Sequence, residues 1–406
     1  MVVWESFTEA NCAINLFINW RNSMDYLLTE EQVMLRDLCR EITVEKIIPV
    51  AGEYDKTEEF PWDIVKVMAE SDILGIYIDE KYGGMGGGLM ELCIAIEEFS
   101  RGCAGIALAF SATALGTDPI ILFGNEEQKE KYLPDIASGK KLAAFGITEP
   151  AAGSDASAMQ TTAKKNGDHY ILNGTKHFIT NGGDAEIYTI VAMTNKSKGA
   201  RGASVFIVEK DTPGFTFGKK EDKMGIRGSS TRELIFTDCK VPKENLIGKE
   251  GQGFIIAMRT FDMSRPGIGA QALGIAQGSL DVAVKYAKER KQFGKPISSF
   301  QGIQFMLADM ATQVEAARAL VYASARQIDA GAKSLAKDSA MAKMFASDTA
   351  MKVSTDAVQI LGGYGYMHEY PAEKFMRDAK ITQIYEGTNQ IQRNIIALNL
   401  IKEYSK

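Results

Sequence analysis

Histidine is scarce in this 406-residue chain, and its few cysteines show no pairing pattern: there are three His and five Cys. Cys12, Cys39, Cys93, Cys103 and Cys239 contain no C-x-x-C pair. They offer neither a zinc-ligand spacing nor a disulfide framework, and the odd count reads as reduced thiols. No metal site is expected. Positive charge is also in deficit, with 46 Lys and Arg against 52 Asp and Glu and a net charge of −6. A nucleic-acid binder would carry a basic face, so that class is excluded. Any phosphate-bearing ligand must be held locally, by a few Arg residues, backbone amides or helix N-termini. No uninterrupted apolar run approaches the roughly 18–20 residues of a membrane span, so no membrane insertion is expected. No targeting signal is expected either. The first 23 residues hold one basic residue, Arg21, against Glu5 and Glu9, which fits neither a secretory signal nor a transit peptide. Met24 makes a more natural start, and residues 1–23 read as an N-terminal appendage.

The composition is that of an ordinary globular protein, 45% apolar and 24% charged, in a chain long enough for two or three domains. From Leu28 to Leu142 the period is helical: Val33, Leu35, Leu38, Ile42 and Ile47 recur at three- to five-residue spacing, behind Thr29 as N-cap. The glycine run 83–88 reads as a flexible loop. From Ala143 to Phe254 short alternating segments predict an antiparallel β domain, with hairpins at Asn173-Gly174 and Asn181-Gly182. From Ile255 on, helices return. Leu273, Ala276, Leu280, Val284 and Ala287 form one apolar stripe, and Ile303, Leu307, Met310, Val314, Ala317 and Val321 form another. The expected fold class is therefore α+β, with an N-terminal helical domain (24–142), a middle β domain (143–254) and a C-terminal four-helix-bundle-like domain (255–406).

Gly267, Gly269 and Ala272 match G-x-G-x-x-A, but Met263, Ser264, Arg265 and Pro266 precede them in place of a strand. A dinucleotide fingerprint needs strand, tight turn and helix N-terminus, so close helix packing is the better reading. The segment 144–161 sets Thr148 and Ser154 on either side of a Pro-Ala-Ala-Gly turn, equally readable as turn punctuation or as backbone open to a ligand. Phe178 and Thr180 pair an aromatic face with a hydroxyl on one strand. Glu386, between Tyr385 and Gly387, reads either as a solvated helix end or as a desolvated carboxylate able to act as a general base.

Taken together, T-E-P-A-A-G-S-D (148–155), K-H-F-I-T-N-G (176–182), K-M-G-I-R-G-S-S-T (223–231), K-E-R-K-Q-F-G-K (288–295), Q-I-L-G-G-Y-G-Y (359–366) and I-Y-E-G-T-N-Q-I-Q-R (384–393) resemble, in order, the signatures of acyl-CoA dehydrogenases. The resemblance covers nearly everything from Met24 to Lys406. It implies FAD as cofactor. Phe145, Ile147, Thr148, Phe178 and Thr180 would contact the isoalloxazine, Gly153, Ser154 and Ile179 match further cofactor-binding positions, and Ser154 also matches the position that touches the substrate's pantetheine arm. Arg290, Phe293, Gln301 and Gln359, Ile360, Leu361, Gly362 and Gly363 match positions that reach the FAD of a neighbouring subunit, and Thr388, Asn389 and Gln390 match those at its diphosphate and ribose. A homotetramer, as a dimer of dimers, follows. Phe261, Asp262, Arg265, Tyr385 and Gly387 match substrate-binding positions.

The implied reaction is α-proton abstraction by Glu386 and β-hydride transfer to the flavin, giving a trans-2-enoyl-CoA, with electrons passed to an electron-transfer flavoprotein. Some relatives place their base as a Glu one residue before Arg265; this chain has Ser264 there. The chain looks nearest to short-chain, butyryl-type members. Glutaryl-type relatives carry an Arg where Ala107 stands, and the family's Arg five residues past Q-I-Q-R is Leu398. An aryl-substituted acyl group such as benzylsuccinyl is a further option. The alternatives are an acyl-CoA oxidase or flavin monooxygenase on the same scaffold, or a non-catalytic flavin- or CoA-binding subunit. The expected location is a bacterial cytoplasm, with the mitochondrial matrix as the alternative.

Overall fold

A computed structural model describes residues 26–405; Cys12 and the 1–23 appendage lie outside the described residues. Helix α1 (Glu30–Ile42) begins as expected at Thr29, whose Oγ1 accepts from the Gln32 amide at 3.2 Å while the Gln32 side chain accepts from the Thr29 amide at 3.1 Å. Short helices α2 (Ala51–Thr57) and α3 (Trp62–Glu70) lead to the long element α4 (Leu89–Phe123), and α5 (Glu126–Ala137) closes this helical part.

The glycine run before α4 is closely packed. A Cβ on Gly84 would stand 2.0 Å from the Ile78 carbonyl oxygen and one on Gly87 2.4 Å from that of Ile76. Glycine serves here for backbone approach.

Helix α4 is long and apolar enough, by length and composition, to cross a membrane, although charged residues interrupt its sequence. Its surface is instead buried inside the protein along most of its length, and at Cys103 the backbone leaves helical geometry (φ −162°, ψ 109°).

The middle part is one sheet of β1 (Ala143–Gly146), β2 (Thr162–Asn166), β3 (His169–Thr180), β4 (Ile187–Met193), β5 (Ala203–Glu209), β6 (Phe215–Lys220), β7 (Thr231–Pro242) and β8 (Leu246–Ile247). Its order is β6-β7-β3-β2-β4-β5-β8, with β1 beside β4. Most pairings are antiparallel, but β1 runs parallel to β4, with Ala143 opposite Ile187 and Gly146 opposite Ile190, so the sheet is mixed. β4 is buried throughout, the signature of a strand covered on both faces.

Asn173-Gly174 makes no hairpin. It lies inside β3 at a register shift, where a Cβ on Gly174 would meet Thr161 Oγ1 at 2.6 Å, a bulge that brings two backbones together. Asn181-Gly182 does turn the chain, with Asn181 at φ +60°, but β3 and β4 are not paired, so this is also no hairpin.

The C-terminal part holds α6 (Gly253–Glu289), α7 (Gln301–Asp329), α8 (Ala336–Leu361), α9 (Ala372–Thr382) and α10 (Asn389–Tyr404), with a small β9–β10 ribbon (Lys291–Gln292 and Lys295–Pro296) between α6 and α7. Gly267 and Gly269 fall inside α6; a Cβ on Gly269 would press on Val321 Cγ2 at 2.9 Å. That is the packing role expected of the glycine pattern. The two stripes are core over most of their length, but Val284 is exposed and Ile303 and Leu307 are only half-buried. The adjoining ends of α6 and α7 border an open apolar cleft and are not covered there.

Helix α6 packs mainly on α4 and α8. Its approach to α4 depends on Gly274, where a Cβ would stand 2.3 Å from the Glu97 carbonyl oxygen. Gly274→Ala should therefore destabilise the protein by about 1–3 kcal/mol through overpacking, despite alanine's better helix propensity. A fall in the denaturant midpoint with unchanged slope is the expected reading; an unchanged midpoint would show that the helices can part without loss.

Candidate active site

Glu386 lies between α9 and α10, in a turn that the sequence closes from several sides. The Tyr385 amide still bonds to Ile381 O at 3.1 Å; the chain then turns left-handed at Glu386 (φ +50°) and Gly387 (φ +91°) before Thr388 caps α10. A left-handed glutamate costs about 1–2 kcal/mol and persists only where its surroundings enforce it. Here the Gln392 amide donates to the carbonyls of Glu386 (3.1 Å) and Gly387 (2.9 Å). Lys343 Nζ, fully buried on α8, donates to Gly387 O at 2.9 Å and Asn389 Oδ1 at 3.0 Å.

The Glu386 carboxyl is enclosed by protein while part of the residue remains accessible. Burial raises its pKa above the ordinary carboxylate value, opposed by a hydrogen bond from Ser264 and by the charges of Arg265 and Lys343. Ser264 Oγ donates to Glu386 Oε2 at 2.6 Å. Burial likewise brings Lys343 down to about 7, against the pull of Glu386. Of the residues expected from sequence, Asp262 and Arg265 are brought together here as an ion pair of 2.9 Å, and among the described residues Arg265 Nε is buried with no hydrogen-bond partner, a donor with capacity to spare. Tyr385 OH donates to Gln271.

The adjoining region is built from β1, β3 and the loop that follows β1. Phe145 on β1 meets Phe261 on α6 edge to face, with ring centroids 5.6 Å apart, joining the 145–148 segment to the Ser264–Arg265 segment. Lys176, fully buried, clamps the loop: its Nζ donates to Ile147 O at 3.1 Å and to Glu149 Oε1 at 2.7 Å. Burial lowers Lys176 to about 8, while Glu149, which burial alone would raise, is held below the usual range by Lys176. The His177 amide also bonds to Thr148 O at 2.8 Å.

Opposite Glu233, β3 bulges by one residue between Lys176 and Ile179. Phe178 is left at φ +59° and 62% exposed. An aromatic ring held open on strained backbone, beside the half-buried Thr148 and Thr180, fits a planar ligand such as the expected flavin. Ile147 and Ile179 are buried; Gly153 and Ser154 are exposed at the loop's outer edge. Thr388 caps α10, Gln390 is exposed, and the buried Asn389 amide bonds to Ser347 Oγ (2.9 Å) and Asp348 Oδ1 (2.8 Å).

The remaining expected residues form a second cluster. Arg290, Phe293, Ile360, Leu361, Gly362 and Gly363 line one open cleft of about 840 Å³, and Gln301 and Gln359 are exposed near its edge in sequence. Phe293 is 92% exposed at φ +51°. Arg265 lies within α6 and Arg290 is the residue that ends it, 25 positions on and so about 37 Å away.

Sequence reasoning missed Lys343, Lys176 and Glu149. The signal was present for Lys343: it interrupts the otherwise small-residue stripe Ala336, Ser339, Ala340, Ala346, Ala350 on α8, where a cation stays buried only with partners. Asp118 on α4 was also missed. Burial and the charge of Glu386 hold its carboxyl well above the usual range.

Lys176→Met would leave Glu149 as an unpaired buried carboxylate and should cost about 3–5 kcal/mol, while the Lys176→Met/Glu149→Met double variant should lose clearly less. Urea unfolding of both variants provides the comparison; equal losses would mean that the ion pair is not what holds the loop.

Three family models account for nearly all of the described chain: "Acyl-CoA dehydrogenase, N-terminal domain" over residues 29–140, "middle domain" over 144–239 and "C-terminal domain" over 251–401. An acyl-CoA dehydrogenase of Bacillus subtilis is 54% identical over 375 residues, 92% of this chain and 99% of the relative. The solved butyryl-CoA dehydrogenase of Megasphaera elsdenii is 51% identical, with a TM-score of 0.91 over 93% of this chain and all of that one. A chain from a structure of the electron transferring flavoprotein of Acidaminococcus fermentans is 55% identical, also with a TM-score of 0.91, covering 93% and 99% of the two chains.

Proposed function

The chain belongs to the acyl-CoA dehydrogenase family, a family of FAD-dependent oxidoreductases, and we propose that it dehydrogenates a short-chain monocarboxylic acyl-CoA with Glu386 as the base. The observation that carries this reading is the Glu386 turn: a desolvated, basic carboxylate on strained backbone, one helix away from the Phe145–Phe178 flavin region.

A carboxylate with a raised pKa is a stronger base than one in water, and its ideal value lies near the working pH. Glu386 takes the α-proton of the thioester, the α-carbon's electron pair forms the new C=C bond, and the β-hydrogen leaves with its pair, giving the trans-2-enoyl-CoA. Bound FAD supplies the acceptor for that hydride. Thr148, Phe178 and Thr180 would hold its ring, and Arg265 would meet the CoA side of the substrate. Electrons then pass to an electron-transfer flavoprotein, a reading supported by the 55% identical chain from the Acidaminococcus fermentans structure.

Local charge favours a neutral acyl tail. Of the cations acting on Glu386, Arg265 is paired with Asp262 and Lys343 bonds Gly387 O and Asn389. Asp118 adds an acid within electrostatic reach of Glu386. Among the described residues, each cation acting on Glu386 already has an acid or hydrogen-bond acceptor as partner, which leaves none dedicated to a second carboxylate as in glutaryl- or benzylsuccinyl-CoA. Ala107, fully buried, brings none either. The Megasphaera elsdenii butyryl-CoA enzyme supports the same substrate class.

Each flavin site is completed by a second chain, and the assembly is a homotetramer. The support is the roughly 37 Å along α6 between Arg265, beside the Glu386 turn, and Arg290, just past the helix's C-terminal end, together with apolar side chains open at the second cluster, Phe293 and Tyr364 among them.

Glu386→Gln should keep yellow FAD and CoA-ester binding but slow substrate bleaching of the flavin by about 10²–10⁴-fold; full-rate bleaching would sink the assignment. In the wild type, butyryl-CoA should bleach faster than glutaryl-CoA by on the order of a hundredfold or more, measured as kcat/KM. Phe293→Asp should shift the mass seen by light scattering below that of a tetramer and loosen FAD retention. A tetramer with full FAD would remove Phe293 from the interface.

A further inference from the structure

Ser264 lies on α6 one residue before Arg265, beside a proline that breaks the helix ladder. Pro266 has no N–H to give to the Asp262 carbonyl four residues back. Ser339 Oγ on α8 fills that place, donating to Asp262 O at 2.7 Å. The result fixes the Asp262–Pro266 turn of α6 against α8, the helix that also carries Lys343.

A serine inside a helix ordinarily returns its hydroxyl to a carbonyl of its own preceding turn, as Ser279 does to Ile275 O at 2.7 Å further along the same helix. Ser264 does not. Its Oγ crosses to Glu386 Oε2 at 2.6 Å, and the serine is buried at 7% exposure. Among the described residues no hydrogen bond is made to Glu386 Oε1. The hydroxyl therefore pins one carboxylate oxygen and leaves the other to face a substrate.

We propose that Ser264 is a positioning residue that orients Glu386, fixes Oε1 as the proton-accepting atom and favours its ionised form. This rests on the reading of Glu386 as the base and adds a control of its protonation from α6. A hydroxyl can donate to a carboxylate at full strength but to a neutral carboxyl oxygen only weakly, so the bond stabilises the form able to act as a base. It opposes the burial that raises Glu386.

The other charged and titratable groups around Glu386 are Arg265 on α6, Lys343 on α8, Asp118 on α4 and the neighbouring Tyr385. Arg265 and Lys343 act on it as charges, without a hydrogen bond to the carboxylate. Ser264 alone among them makes a direct hydrogen bond to it, and carries no charge of its own, so its removal isolates the hydrogen-bond contribution.

The test uses the FAD-loaded enzyme and the pH dependence of kcat/KM for butyryl-CoA with a chemical electron acceptor. A hydrogen bond to a charged group contributes enough to move a pKa by about one unit. Ser264→Ala should therefore shift the acidic limb upward by about one unit, a loss of about tenfold on the acid side, with FAD content unchanged. Ser264→Thr, which keeps the hydroxyl, should retain the wild-type limb. Ser264→Cys, nearly isosteric but a weak donor, should follow Ser264→Ala and carries the test if the alanine variant does not fold.

A limb that stays put in Ser264→Ala or Ser264→Cys, or that moves equally in Ser264→Thr, overturns the proposal. Glu386→Gln separates the two readings. If that variant bleaches at full rate the base assignment itself falls; if it is inactive while the serine variants keep the wild-type limb, only the role of Ser264 falls.

Discussion

Everything near the candidate site hangs on how closely α6 lies against α4. A Cβ on Gly274 or Gly278 would stand 2.3 or 2.4 Å from the backbone carbonyl oxygen of Glu97 or Arg101, closer than any side chain could come. With those glycines the two longest helices of the described chain sit in backbone contact, and the 37-residue rod α6 becomes the common frame of the molecule. It presents Ser264 and Arg265 to the Glu386 turn, and its C-cap Arg290 lines the apolar cleft past its C-terminal end. Packing of this kind is stiff, because a core at native density gives way only in discrete steps. Residues about 37 Å apart are thus held at a fixed spacing.

The Glu386 turn shows how strain is maintained by its surroundings. Left to itself a glutamate avoids positive φ. Here Gln392 and Lys343 hold the carbonyls of the turn, and Lys343 is itself fixed by Asn389. Lys343 also places a cation in the interior, and burial brings it close to neutrality. The same group thus acts both as a mechanical tie and as a modest electrostatic counterweight to the desolvation of Glu386. The loop after β1 repeats the arrangement with Lys176, which ties Ile147 O and Glu149 on either side of Thr148.

Much of the fold was legible because helix and strand periods differ. The change from three- to five-residue spacing to alternation and back divided the chain into helix, sheet and helix. Places where glycine was read as punctuation fared less well. Gly84 and Gly174 are where backbones touch, and which backbone passes beside a glycine is a tertiary fact. The Asn173-Gly174 pair carries a hairpin signature, yet β3 runs straight through it, because pairing with β7 continues on both sides of the bulge.

The sequence by itself determined the order of elements, the family signatures and the chemistry available: an acid at 386, hydroxyls at 148 and 180, an aromatic ring at 178. These depend on residue type and spacing along the chain, which the sequence states directly. Only the tertiary structure decided which groups act on one another. Ser264 was legible as a residue that is not a glutamate, whereas its hydroxyl's bond to Glu386 spans 122 positions. Lys343 stood out in the sequence only as a cation in a small-residue stripe, and its partners Gly387 O and Asn389 came from the fold. Desolvation and hydrogen bonding depend on distance in space, and folding alone sets that distance.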